Sequence, residues 1–141
     1  MSPEGVLETC VYAADLEAAE RFYTDIMGLT RHSAVAGRHV FFRSGAGMFL
    51  VFNPAATQRG LSGQAGAAAA PHGATGPGHV AFRVTPEALP AWRDRLTRAG
   101  IGIELETTWP GGGHSIYLRD PAGNSVELAT PDIWGLPATT C

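Results

Sequence analysis

SIYLRDPAGNSVEL, residues 115–128, is the stretch that decides the fold, because it reads as a strand, a tight turn and a second strand. The turn falls at DPAGN, residues 120–124, where Pro presets φ and Gly or Asn can adopt a positive φ. Side chains two positions apart share a face of a strand. The second strand, Ser125–Ala129, therefore places Glu127 on the face opposite its apolar one.

Glu127 needs a partner on this strand, since an ionised acid in a partly dry site is costly unless it is paired, hydrogen-bonded or bound to a metal. A salt bridge to Arg83 or Arg119 would satisfy the carboxylate. A metal ion would satisfy it too. We interpret Glu127 as one ligand of a metal and look for the others.

The composition bounds the class of protein. The 141 residues are 45% hydrophobic and 16% charged, which indicates one globular domain or two small halves that share a core. No apolar run approaches the roughly 18 residues of a membrane span, and the N-terminus has no signal-peptide pattern, so we expect a cytoplasmic protein without a membrane partner. The net charge of −3 argues against a nucleic-acid partner.

The residue types also exclude some chemistry. All ten basic residues are Arg, and without Lys neither Schiff-base catalysis nor a Walker-type phosphate loop is possible. Cys10 and Cys141 lie at opposite ends of the chain, so neither a disulfide framework nor a thiolate zinc site is indicated.

Residues 1–53 form the first predicted module. Leu7–Ala13 alternates as a strand, and Asp15 can cap the following helix because its side-chain oxygen accepts from the free amides of the first turn. Apolar residues recur at helical spacing from Leu16 to Met27, and Gly28 ends the helix. The order is βαβββ, with the last three strands predicted at residues 30–35, 39–43 and 48–53.

A Gly- and Ala-rich segment, residues 54–77, separates this module from the second, residues 78–130. It has too little apolar area to offset its chain entropy, so we predict a flexible linker or loop. The second module repeats the βαβββ order, with Thr85 and Pro86 as N-cap and first residue of its helix. Its strands are predicted at residues 79–84, 101–107, 114–119 and 125–129, and residues 131–141 form a tail.

Three residues on three predicted strands could share a metal ion. Glu8 and His79 occupy matching places, since each opens a strand that leads into a capped helix, and the last strand contributes Glu127. Two carboxylates and one imidazole suit a divalent ion such as Mn, Fe(II), Ni or Zn and leave positions for water or substrate. The alternatives are a solvated Glu8 and a His79 packed in the core.

Three segments carry a family resemblance: VLETCVYAADLEAAERFYTDIMGL (6–29), GPGHVAFRV (76–84) and SIYLRDPAGNSVEL (115–128). They resemble the vicinal oxygen chelate superfamily, which comprises glyoxalases, bleomycin resistance proteins and extradiol dioxygenases. The resemblance implies an α+β fold in which two βαβββ modules contribute mixed, curved sheets to an open cup around one metal. It also implies a homodimer.

The resemblance assigns roles to individual residues. It places metal ligands at Glu8, His79 and Glu127, and Tyr117 matches a pocket Tyr that hydrogen-bonds the substrate in several family enzymes. Glu8 or Glu127 would also act as a base. Glyoxalase-type members have a fourth ligand, often Glu, at the place that Phe49 occupies here.

Further residues are open to two interpretations. Those that could either line a pocket or pack in the core are Phe41, Phe49, Val51, Trp109, Tyr117 and Trp134. The histidines expected to face solvent are His32, His39, His72 and His114.

The sequence therefore predicts a metal-dependent glyoxalase- or dioxygenase-like enzyme, a lyase, isomerase or dioxygenase. Its substrate would be a small organic molecule that chelates a divalent metal through neighbouring oxygens, and Tyr117 and Glu127 would be its catalytic residues. The alternative is a metal-free protein of the bleomycin-resistance type, which sequesters a drug in a cup lined by Phe49, Trp109 and Trp134.

Overall fold

The computed structural model describes residues 1–59 and 69–137. They form two four-stranded mixed sheets with short helices, and neither sheet closes into a barrel. The predicted α+β class with two βαβββ modules is confirmed. Contacts divide the chain into two compact units, the first with residues 1–78 and 121–124 and the second with residues 79–120 and the chain from Ser125 onward.

The first unit is built on one sheet with the strand order β1-β4-β3-β2. β1 runs parallel to β4, and the other pairs are antiparallel. Its elements are β1 (Glu8–Tyr12), α1 (Leu16–Arg21), a π-helical turn (Phe22–Ile26), β2 (Thr30–Val35), β3 (His39–Ser44), β4 (Gly47–Phe52) and α2 (Pro54–Thr57).

One face of this sheet packs against the first helix. The Asp15 carboxylate accepts from the Ala18 amide at 2.9 Å, so the predicted N-cap is confirmed. After Arg21 the helix widens into the π turn, in which the Met27 amide donates to the Phe22 carbonyl five residues back at 3.1 Å. Tyr23 from this turn is fully buried, with its ring 4.7 Å from the ring of Phe49.

A short helix occupies the start of the segment predicted to be a linker. α2 begins at Pro54, and the side chain of Asn53 accepts from the Ala55 amide at 3.0 Å. Asn and Pro are favoured at the N-cap and first positions of a helix, which explains the turn. Residues 60–68 of the predicted linker lie outside the described residues.

The turn at residues 121–124 counts with the first unit because of Asn124. This side chain is 1% exposed. Its Oδ1 accepts from the Gly78 amide at 2.8 Å, and its Nδ2 donates to the Tyr12 carbonyl at 3.0 Å. One buried amide therefore joins the last turn of the fold to β1 and to the residue before β5.

The second unit repeats the sheet, with the strand order β5-β8-β7-β6 and a parallel β5/β8 pair. One face packs on the helix through buried Leu89, Leu96, Val126 and Leu128. Its elements are β5 (His79–Arg83), a 3-10 turn (Pro86–Ala88), α3 (Leu89–Arg98), β6 (Leu105–Thr108), β7 (His114–Arg119), β8 (Ser125–Ala129) and a 3-10 turn (Pro131–Trp134).

One strand prediction in this unit is wrong. The strand expected from Ile101 begins only at Leu105, because its ladder with β7 runs from Leu105 opposite Tyr117. Thr85 and Pro86 take the predicted N-cap and first positions, here of the 3-10 turn, although the Thr85 side chain makes no capping hydrogen bond. None of the helices in the described part of the chain has the length and apolar character that crossing a membrane requires.

Candidate functional site

The second sheet gathers three of the predicted site residues on the face away from α3. Tyr117 on β7 lies directly opposite Glu127 on β8, and Ala81 on β5 lies opposite Glu127 from the other side. His79, two residues before Ala81, shares that face. Strand register therefore sets His79, Glu127 and Tyr117 side by side.

The carboxylate of Glu127 is the buried centre of this group. Its residue is 5% exposed, and its Oε2 lies 3.2 Å from Nε2 of His79, whose side chain is 52% exposed. The two arginines considered as partners are engaged elsewhere: Arg83 donates to the Pro137 carbonyl at 2.6 Å, and Arg119 pairs with Glu104 at 2.7 Å. The half-exposed imidazole of His79 therefore lies between the buried carboxylate of Glu127 and the solvent.

Ser125 orients the imidazole of His79. The imidazole Nδ1 lies 3.2 Å from both the carbonyl oxygen and the hydroxyl oxygen of Ser125. A carbonyl only accepts, so it favours the tautomer in which Nδ1 carries the proton, and in that tautomer Nε2 presents its lone pair. That lone pair faces the Glu127 carboxylate, and two acceptors at 3.2 Å require a proton or a cation between them. The donor set and its orientation fit a divalent metal.

Tyr117 supplies a hydroxyl to the same group. Burial raises the pKa of Tyr117, and its hydrogen bond to Glu127 raises it further, so the phenol stays protonated at neutral pH. Its ring is stacked 6.4 Å from the imidazole of His79. Behind it, the indole of Trp109 donates to the Ser115 hydroxyl at 2.9 Å. Tyr117 is therefore a polar group of the site, not a residue of the apolar core.

The first unit carries a separate pocket of about 300 Å³ on the face of its sheet away from α1. The hydroxyl of Tyr12 and Nδ1 of His72 are 2.7 Å apart, and the His72 ring meets the Phe52 ring edge-on at 4.7 Å. Burial raises the pKa of Tyr12, with a further contribution from the hydrogen bond to Cys10. The residues that line the pocket are Glu8, Thr9, Cys10, Tyr12, Leu50, Phe52 and His72.

The predicted metal ligands therefore fall into two groups. His79 and Glu127 are in contact within the second unit. Glu8 is exposed and lines the pocket of the first unit. Within residues 1–59 and 69–137, no three His, Cys, Asp or Glu side chains gather closely enough to form a metal cluster. A role for Glu8 beside the other two ligands stays a prediction.

The register also corrects the place of the missing fourth ligand. Glu127 lies two residues before Ala129, whose carbonyl accepts from the Val84 amide at the end of β5. In the first unit the equivalent hydrogen bond at the end of β1 runs from the Ala13 amide to the Phe52 carbonyl. The residue two positions before Phe52 is Leu50. Leu50, not Phe49, is thus the counterpart of Glu127. Phe49 is buried on the helix side, as is Val51, so both pack in the core.

Several other residues differ from expectation. His72 and His39 were expected to face solvent, but His72 forms a pocket wall and His39 stacks on Phe41 at 3.9 Å. Trp134 caps no core, because it is 78% exposed. Ser125 and His72 were missed as site residues. A strand-pairing argument could have found Ser125, since it lies opposite His79.

Comparison with known proteins agrees with this architecture. The family model described as Glyoxalase/Bleomycin resistance protein/Dioxygenase superfamily matches residues 5–128. The chain belongs to this superfamily. No curated protein sequence matches the chain closely enough to count as a relative.

Several solved structures share the fold of this superfamily member. The chain is similar to the crystal structure of a lactoylglutathione lyase from Agrobacterium tumefaciens, with 39% identity and a TM-score of 0.88 over 96% of this chain and 100% of that one. A virulence protein from Salmonella typhimurium has 22% identity and a TM-score of 0.66 over 92% and 98%. A fosfomycin resistance protein from Listeria monocytogenes has 18% identity and a TM-score of 0.65 over 92% and 94%. At these lower identities the likeness concerns the fold alone.

Proposed function

We propose that this superfamily member is a divalent-metal-dependent enzyme that acts on a small organic molecule with two neighbouring oxygens. His79 and Glu127 would hold the metal from the second sheet, and Glu8 would be the third ligand. The observation that carries the proposal is the pair of acceptors, Nε2 of His79 and Oε2 of Glu127, that face each other at 3.2 Å.

Each residue has a chemical task in this proposal. A bound divalent ion would supply Lewis-acid polarisation of the two substrate oxygens. Tyr117 remains protonated and donates its hydroxyl hydrogen, either to Glu127 or to a substrate oxygen. Glu127 accepts a proton from the substrate, and the hydrogen bonds from His79 to Ser125 keep the imidazole oriented.

The first test is metal binding by the purified full chain, measured by elemental analysis and by calorimetric titration with Mn²⁺, Fe²⁺, Ni²⁺ and Zn²⁺. We expect one equivalent to bind. Loss of a residue that only hydrogen-bonds to a metal ligand typically lowers metal affinity by about 10- to 100-fold. Loss of a ligand itself should cost at least as much, so His79→Ala and Glu127→Gln should each weaken binding by more than about tenfold.

Glu104→Gln is the matched control. Glu104 belongs to the same unit, but its exposed carboxylate pairs with Arg119, so the same change there should leave metal affinity unaltered. Glu8→Gln tests the third ligand separately. If the wild-type chain binds none of the four metals, the enzyme proposal is wrong and metal-free sequestration of an apolar drug becomes the better hypothesis. The proposed homodimer is tested by sedimentation of the same samples.

A further inference from the structure

The pocket of the first unit has an unusual balance of polar and apolar groups. Two of the polar groups that line it, the Tyr12 hydroxyl and the His72 imidazole Nδ1, are already bonded to each other at 2.7 Å. This hydrogen bond occupies one donor and one acceptor of the pair. A ligand in the pocket also meets the apolar side chains of Leu50 and Phe52.

The charge at the pocket is as informative as its apolar lining. The only charged side chain among its described lining residues is the carboxylate of Glu8. An anionic group on the body of a ligand would find no guanidinium or ammonium group among the described lining residues, and an unpaired charge is costly in a partly desolvated site.

Leu50 contributes an apolar side chain to the lining of the pocket. Leu50 is the counterpart of the acid Glu127 in the other unit and is 5% exposed. The duplicated position thus holds a carboxylate in the second sheet and an isobutyl group in the first. At about 300 Å³, the pocket is at the small end of the range for ligand sites, about 300 to 1,000 Å³.

We propose that this pocket receives the apolar body of a compact, uncharged substrate, such as an aryl or alkyl hydroxyketone. The proposal rests on the proposed function, because Glu8 at the pocket would hold the metal that binds the substrate oxygens. It excludes a glutathione adduct from the pocket, since a tripeptide with two carboxylates and an ammonium group is large and charged.

Two probes with the same chelating head separate these substrate classes. 2-Hydroxyacetophenone carries a neighbouring hydroxyl and ketone on a neutral phenyl ring, and S-lactoylglutathione carries a similar α-hydroxy carbonyl on the charged tripeptide. Acetophenone, which lacks the hydroxyl, reports on the pocket without chelation. Cys10 lines the pocket, so occupancy is read from the rate at which iodoacetamide alkylates it. Mass spectrometry of the tryptic peptide 1–21 distinguishes Cys10 from Cys141.

With the Mn²⁺-loaded full chain, 2-hydroxyacetophenone at about twice its Kd should slow Cys10 alkylation about threefold, by the mass-action factor 1 + [L]/Kd. S-lactoylglutathione at the same concentration should leave the rate unchanged. Protection of Cys10 by S-lactoylglutathione overturns the proposal, as does the failure of both aryl probes to protect it. Protection by acetophenone in a chain that binds no metal supports the pocket and refutes the metal-dependent function.

Phe52→Leu and Phe42→Leu form a matched pair for the same assay. Phe52 walls the pocket, whereas Phe42 is fully buried in the helix-side core of the same sheet. Loss of an aromatic contact of about 1 kcal/mol corresponds to about fivefold in Kd. The Phe52 variant should weaken 2-hydroxyacetophenone by about that factor and the Phe42 variant should not, and equal effects contradict the assignment of the wall.

Discussion

The buried side chain of Asn124 should be one of the most sensitive polar positions in the first unit. Replacing it with Ala removes the acceptor for the Gly78 amide and the donor to the Tyr12 carbonyl. Both hydrogen bonds are partly buried, and a backbone group left there without a partner costs about 1 to 3 kcal/mol. We therefore expect Asn124→Ala to lower the free energy of unfolding by about 3 kcal/mol.

Asn53→Ala is the control, since it removes the same side chain from an exposed site. Asn53 caps α2 through a single hydrogen bond to the Ala55 amide, and an exposed N-cap is worth about 1 kcal/mol. Urea unfolding followed by circular dichroism measures both variants. With a slope of about 2 kcal/mol/M, the Asn124 variant should lower the midpoint by about 1.5 M, three times the shift of the control.

A third variant separates the two hydrogen bonds. Asn124→Asp keeps an oxygen for the Gly78 amide but places a second acceptor against the Tyr12 carbonyl, so its stability should fall at least as far as that of the Ala variant at neutral pH. The reasoning fails if Asn124→Ala and Asn53→Ala lose the same stability, because then burial adds nothing to the value of these bonds.

Three further predictions concern stability. Burial lowers the pKa of His39 in the folded protein below its usual 6.5. The stabilisation that comes from the neutral imidazole is therefore full above pH 6.5 and is lost as the pH falls through the folded pKa. Between pH 7.5 and 5, the free energy of unfolding of His39→Phe should lack this pH-dependent loss. Gly113→Ala should lower the free energy of unfolding by about 3 kcal/mol, because φ is +84° and a Cβ would lie 2.7 Å from the Ile133 amide nitrogen. Gly112→Ala, with open space around the added Cβ, should lower it by about 1 kcal/mol, and thermal melting compares the two variants. Asp15→Ala should cost about 1 kcal/mol in the same melting assay through loss of the helix cap.

The alternation of side chains between the two faces of a strand made the part of the site in the second unit predictable. Once Ser125–Ala129 was identified as a strand, the face of Glu127 followed, and the duplicated order of elements put His79 on the neighbouring strand. The observed contact between His79 and Glu127 agrees with that prediction. The alternation of faces says nothing about a strand in another unit, so Glu8 was chosen from its matching place in the duplicated order and from the family resemblance.

The first half of the site was harder to predict because a shift of one residue reverses a strand's faces. β4 is apolar on both sides, from Met48 to Phe52, so its composition gave no sign of which residues face the pocket. Phe49 was therefore assigned where Leu50 belongs. His72 follows a Gly- and Ala-rich segment without periodicity, and its contact with Tyr12 spans 60 positions of the chain.

The π turn after α1 affects how this chain should be aligned with its relatives. A π turn holds one residue more than an α turn, so deleting one residue from Phe22–Ile26 can convert it into regular helix. The deletion would remove the bulge and leave the pairing of β2 with β3 unchanged. Homologous sequences that are one residue shorter between β1 and β2 should therefore show their gap within this turn.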